Sequence, residues 1–398
     1  GLSLTRRMSS IRFSITSLFA IKLLAGSVSR VSLAIAALSM AVSLTVGIGV
    51  MVQSFRLTVD HWLETSLGRG IYVSPASMSL TRFDSIISPE VLVRLKNIGD
   101  VTKITAVRHV MVDTVLGPSH LVVADIDFES FNRPARFKKG NPHQLWEEFN
   151  NSDIVLISEP FAYHKQLTIG DSFEMLTDYG YKEFRVAGIQ YDYSSSSGII
   201  TVSKQMYAKY WQDRKVSSVR LHVSPSQGLD SLIEEIYEST QNIQTLQIRS
   251  NDVLRKSALE VFDRSFTITS VMRYIAVLVA LIGVVGALLA LQLERARDYG
   301  IAGAIGFIPL QIRKVVMLQT SLIGLLAGLF SLPIGIILAY GLVHVVNERS
   351  FGWSMELYVS YKVLFEAILI SLVGSILAGV YPAIKISRSS LSSQLSES

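Results

Sequence analysis

The side chains able to do chemistry are present in this chain but are not gathered into a reaction centre. Seven histidines stand at His61, His109, His120, His143, His164, His222 and His344, and none lies in the H-E-x-x-H spacing that turns two imidazoles toward one zinc ion. Cysteine is absent, which excludes disulfides and thiolate metal sites. No G-x-x-x-x-G-K-[ST] loop offers backbone amides to ATP phosphates, and no G-x-S-x-G turn presents a nucleophilic serine. Asp125 and Asp127 share one face of a strand and could bind a cation, but a solvated surface accounts for them better. His344 reads as a residue at a membrane interface. No catalytic residue, no metal ligand and no bound cofactor is assigned to this chain.

One ordered set of charges does stand out. Glu294, Arg295, Arg297 and Asp298 are followed by the small residues Gly300, Ala304 and Gly306. A charged start with a small-residue continuation suits a short helix lying along a membrane surface. Its position is fixed by what surrounds it, namely apolar stretches long enough to cross a bilayer. A span needs about 20 apolar residues. Four stretches qualify: 31–55, 266–293, 311–347 and 361–383. A charge at mid-bilayer costs about 2.5–3.5 kcal/mol, and the centres of all four windows carry none.

Composition agrees with this division. Mean hydropathy is +0.39, and only 17% of residues are charged. Residues 56–265 hold 23 Lys+Arg and 26 Asp+Glu, whereas the rest of the chain holds 14 and 6. Lysine and arginine concentrate before the first span, between the second and third, and after the fourth. That asymmetry predicts cytoplasmic termini, a cytoplasmic loop at 294–310, an external loop at 348–360 and a cytoplasmic tail at 384–398. The basic excess therefore belongs to membrane topology, and no nucleic-acid partner is expected. Residues 1–30 mix apolar and basic side chains over too short a run to span, which predicts an amphipathic segment on the inner surface.

Residues 56–265 are expected to form a mixed α+β domain outside the membrane, β-rich across about 150–223, the latter read as an insertion. Strands are expected near 70–73, 101–111, 121–126, 154–157, 172–177, 182–189, 199–202 and 219–223. Helices are expected at 89–96, behind Ser88, and at 224–240, with Ser224 as cap and Pro225 in the first turn. The apolar face of span one continues through Val52, Phe55, Val59, Trp62 and Leu63. Span two is approached by Leu254, Ala258, Val261 and Phe262. Spacings of three and four place each set on one helical face, so the two faces are expected to pack as a helical stalk beneath the domain. Gly324 and Gly328 form a G-x-x-x-G face, Gly374 adds a small-residue contact, and Pro333 should kink or joint its helix.

The segment 293–306 resembles the coupling loop of the FtsX-like permease family, whose members include MacB-type and LolC/LolE-type membrane subunits of type VII ABC systems. The match is carried by Glu294, Arg295, Arg297, Gly300, Ala304 and Gly306, with Asp298 at the acidic position; Tyr299 and Gly303 depart from it. Tyr381-Pro-Ala-Ile-Lys385 is similar to the family's closing motif, and segments 158–162, 167–171 and 184–189 to its β-rich region. The resemblance implies a permease of the bacterial inner membrane that binds no cofactor itself. An ABC ATPase carrying ATP and Mg would dock on 294–306. A second copy or paralogous permease half, membrane lipid, and an external partner or lipoprotein would complete the assembly. Motion would pass through the stalk to a domain that moves a lipid-linked, peptide or hydrophobic substrate. The alternative is a transmembrane signalling scaffold that activates an external cell-wall hydrolase.

Overall fold

Long helices organise the chain. A computed structural model describes residues 19–20, 24, 28–68, 70–77, 85–126, 128–133, 136–224, 228–294, 301 and 304–388. These fall into two units, one of residues up to 54, 265–343 and from 357, and one of residues 55–264 with 344–356.

The first unit is a helix bundle. Helix α1 covers Val28–Leu67, and three of its apolar residues, Leu38, Val42 and Val46, are buried in the bundle. After the sheet domain the chain re-enters through α8, Asn251–Glu294. Helix α9, Pro309–Gly341, carries Pro333 in its interior and passes through a π turn at Leu342–Val346 into α10, Asn347–Phe351. Helix α11 is Tyr361–Arg388. Three helices among the described residues are long and apolar enough to cross a membrane: Val31–Leu67, Pro309–Phe351 and Tyr361–Tyr381. The expected span at 266–293 falls inside α8, where several side chains lie outside the described set. Helix α10 carries the third helical run to Phe351, past the expected end at 347.

The bundle packs through small residues. A Cβ at Gly324 would overlap Ser375 Oγ, one at Gly328 would lie 3.3 Å from Ile368 Cα, and one at Gly374 would lie 2.5 Å from Leu281. Close backbones let hydroxyls bond across the seam: Ser371 Oγ donates to Gly324 O at 2.7 Å, and Ser39 Oγ to Ala327 O at 3.2 Å. Within a bilayer such contacts replace the missing hydrophobic drive.

The second unit is built on one ten-stranded mixed sheet. Its strands are β1 Ile71–Pro75, β2 Val101–Val112, β3 Ser119–Ala124, β4 Phe137–Lys139, β5 Ile154–Ser158, β6 Ser172–Thr177, β7 Gly180–Gln190, β8 Ile199–Ser203, β9 Ser218–Val223 and β10 Leu246–Ser250. The order is β10-β1-β9-β2-β3-β8-β5-β7-β4, with β6 on β7. Helices α2 (Pro89–Lys96) and α7 (Leu229–Thr240) cover one face of the β10-to-β2 half around Ile71, Val73, Leu95 and Leu221. The other half buries Phe184, Val186, Ile157 and Ile200 with α5 (Glu159–Lys165) and α6 (Lys204–Tyr210). Short α3 (Phe128–Phe131) and α4 (Pro142–Asn151) pack on its far side through Phe131 and Phe149.

Two sequence expectations shift here. Strand β9 pairs with both β1 and β2, so the stretch 150–223 is not one insertion; the second lobe is built from chain after β2, and β9 returns to the first. Helix α7 starts at Leu229 behind Gly228 (φ +97°), not at Ser224. Glycine reaches that left-handed backbone without a Cβ penalty. Ser88 precedes α2 but makes no side-chain cap; its backbone N–H donates instead to Gln244 Oε1 at 2.8 Å.

Candidate functional site

The two stalk stripes meet within the sheet-bearing unit. Phe55 and Phe262 lie edge to face with centroids 5.3 Å apart. Around them the antiparallel helices exchange charges. Arg255 donates to both oxygens of Asp60, at 2.6 and 2.8 Å, and lies 3.5 Å from Glu64. Arg56 pairs with Asp263 at 3.1 Å. These pairs put Val59 and Ala258 on one rung of the ladder, between Phe55/Phe262 and Asp60/Arg255. Val59 is fully buried and Leu63 nearly so, while Val261 is 65% exposed. Of the expected stalk residues, Leu254, Ala258 and Val261 face a cavity, Trp62 leans on Tyr193 at 5.7 Å, and Val52 belongs to the bundle unit.

The upper end of α1 is tied to the sheet by backbone carbonyls it can no longer satisfy internally. Asn251 Nδ2 donates to Leu67 O at 2.7 Å, Arg220 Nη1 to Ser66 O and Leu67 O, and Arg133 Nη1 to Thr65 O at 2.7 Å. The Asn251 backbone N–H bonds Gly70 O at 3.0 Å. Both stalk helices therefore end on shared anchors.

The segment after α9 joins this platform, which the sequence did not signal. Trp353 packs against Phe55 (5.9 Å) and Tyr193 (5.7 Å). Tyr193 Oη donates to Ser354 O at 2.8 Å, and Ser354 Oγ to Glu159 Oε2 at 3.0 Å. Glu159 is buried and ion-paired with Lys138. Gly352 adopts φ +70°, and a Cβ there would press within 2.9 Å of Pro160. Burial raises the Asp192 carboxyl above its usual range, and burial followed by the Glu159 charge does the same to the Tyr193 phenol.

A cavity of about 730 Å³ opens on the same unit, between the sheet, α5, α8 and the turn at 194–198. His109 and His120 stack on its floor with Nδ1 and Nε2 3.2 Å apart. Burial, with the charges of His120 and Arg108 adding to it, pushes His109 down to about 4; burial also lowers His120. Both shifts favour the neutral imidazole. No group of three metal-ligating side chains occurs among the described residues.

Of the expected coupling residues, Arg295, Arg297, Asp298 and Gly300 lie outside the described residues, and Glu294 ends α8. Ala304 is exposed, and Gly306 turns at φ +107° just before α9.

A family model for the FtsX-like permease C-terminal region matches residues 270–391, and one for the MacB-like periplasmic core domain matches residues 31–239. The chain belongs to the FtsX-like permease family, with a MacB-like periplasmic core domain between its membrane helices. It is 34% identical over 380 residues to an uncharacterized ABC transporter permease of Mycobacterium tuberculosis, covering 93% of this chain and 44% of that protein. It is 21% identical over 250 residues to an uncharacterized ABC transporter permease of Methanocaldococcus jannaschii, covering 60% of this chain and 61% of that one. The chain thus spans less than two thirds of either relative. Among solved structures, the periplasmic region of MacB from Actinobacillus actinomycetemcomitans aligns with 49% of this chain and 95% of its own (TM-score 0.34, 10% identity). The extracellular domain of the noncanonic ABC-type transporter YknZ aligns with 46% and 98% (TM-score 0.31, 12% identity). The fold rests on the sheet order above, not on these scores.

Proposed function

We propose that this chain is the membrane subunit of an ABC transporter complex of the MacB/FtsX type, working as a lever. In this reading α8 supplies a further span at 266–293, both termini and 294–310 are cytoplasmic, and the sheet domain lies outside the inner membrane. A separate ATPase subunit docks on the loop that contains Arg295 and Arg297. Its ATP-driven closure moves α1 and α8, and the sheet domain acts on a lipid-linked, peptide or hydrophobic substrate.

The observation that supports this reading is the stalk. Helices α1 and α8 are each unbroken for 40 and 44 residues, roughly 60 Å at 1.5 Å per residue. They are pinned to one another by Arg255–Asp60 and to one sheet by Asn251. A lever needs such stiffness; a tethered binding domain does not. The test is to co-express the chain with its ATPase and introduce Arg295→Glu with Arg297→Glu. The doubly substituted protein should insert normally but lose ATPase co-purification and substrate-dependent hydrolysis. Wild-type co-purification and hydrolysis would overturn the docking assignment.

A further inference from the structure

In the β10-to-β2 half of the sheet, α2 and α7 cover only one face. The register sends Ile71, Val73, Val219 and Leu221 toward those helices, and Tyr72, Arg249 and His109 to the opposite side. That opposite side is the floor of the cavity, and the stalk helix α8 forms a wall through Leu254, Ser257, Ala258 and Val261. The far wall is Phe161 and Lys165 of α5.

Three features of this cavity select a ligand. Its charges have one sign: Arg249 and Lys165 line it, and no Asp or Glu does among the described residues. Lys165 Nζ already donates to Leu116 O at 2.6 Å, whereas Arg249 is exposed and makes no ion pair among the described residues. Burial of the stacked histidine pair favours its neutral form. Next, apolar side chains stand in water: Met111 is 55% exposed and Val261 65%, with half-buried Leu254 and the edge of the core residue Phe161 also lining the cavity. Lastly, the floor is long. From β10 to β3 it crosses four strand spacings, about 19 Å at roughly 4.8 Å each.

We propose that this cavity binds a single-chain amphiphile with an anionic head, the head paired with Arg249 and the alkyl chain lying along Met111, Phe161, Leu254 and Val261. The volume is within the range of small-molecule sites. An acidic peptide suits it less, because four of the five floor strands, β1, β9, β2 and β3, already have neighbours on both sides and leave most of a peptide's amides only side-chain partners, whereas an alkyl chain needs none. The inference deepens the reading above by naming a substrate class. It also places the ligand against α8, so that stalk motion would change the wall of the cavity.

The test uses the full chain in lipid nanodiscs with a diazirine-bearing palmitate, photolysed and mapped by peptide mass spectrometry. Adducts are expected in segments 109–120 and 254–261. Arg249→Glu should lower their yield about tenfold, in keeping with loss of one charge-assisted pair, and Val261→Glu should lower it as well. Adducts in the membrane helices should be unchanged. Unlabelled palmitate should compete, and hexadecyltrimethylammonium should not. Adducts confined to the membrane helices, equal competition by the cationic amphiphile, or an undiminished yield in Arg249→Glu would overturn the assignment. Labelling needs no nucleotide hydrolysis, so its failure is distinguishable from failure of the coupling reading.

Discussion

The helix bundle and the sheet domain are held together by opposite means. In the bundle the deciding positions are small: Gly324, Gly328, Gly335 and Gly379 sit where a methyl group would meet a neighbouring helix. In the sheet domain they are large: Phe131, Phe149, Phe161 and Phe184 are the biggest fully or almost fully buried side chains. The difference follows from the solvent. Water rewards removal of apolar area at about 25 cal/mol per Å². A lipid tail gives no such reward, so helices gain by close approach and by hydroxyl bonds such as Ser371 to Gly324. The stalk contacts, all within the sheet-bearing unit, use both an aromatic contact and ion pairs.

Swapping the two strategies should break each region in its own way. Phe184 is fully buried beside Tyr210 and Trp211. Phe184→Ala should cost the sheet domain about 3–5 kcal/mol, seen as a lower midpoint of thermal unfolding followed by tryptophan fluorescence. A second test titrates the sheet domain. His109 is depressed from 6.5 to about 4. A depressed folded value means that stability is complete above about 6.5 and is lost as pH falls toward 4, by up to roughly 3 kcal/mol. His109→Gln should flatten that slope; an unchanged slope would show that this ring does not contribute.

In the bundle the effect runs the other way. Gly324→Val adds bulk against Ser375 and Ser371 and should destabilise by about 1–3 kcal/mol, with the fluorescence transition of the sheet domain unmoved. At the stalk the loss should be smaller and uneven. Arg255→Ala removes a bidentate pair whose side chains are only 30% and 25% exposed and should cost about 1–2 kcal/mol. Arg56→Ala removes a pair half in solvent and should cost about 0.5 kcal/mol or less. Equal losses in chemical denaturation would contradict the reading that burial sets the worth of these pairs.

The sequence was legible where one local pattern decides the structure. The strands expected near 101–111 and 172–177 are β2 and β6, and the stripes that hold Phe55 and Phe262 anticipated helices that pack. It was silent where distant segments supply the partner. Strand β10 has no local signal beyond Leu246 and Ile248, and it forms because β1 offers an edge. The role of Trp353 depends on Phe55 and Tyr193, far away in the chain. Gly335 resembles any glycine until Val46 is seen above it. The Ser-rich turn at 194–198 carries no local signal of a site, yet Ser194, Ser195, Ser197 and Gly198 line the cavity. The pair Gly324 and Gly328 announced a close helix contact without naming the helix, which is α11.

The lever requires the sheet domain and the loop before α9 to face different compartments. The chain has no cysteine, so single substitutions report cleanly. Ser196→Cys and Ala304→Cys, both at exposed positions, should be exposed separately to a membrane-impermeant maleimide on intact cells. Labelling is expected at 196 at once and at 304 only after the membrane is permeabilised. Labelling of both from the same side would contradict it.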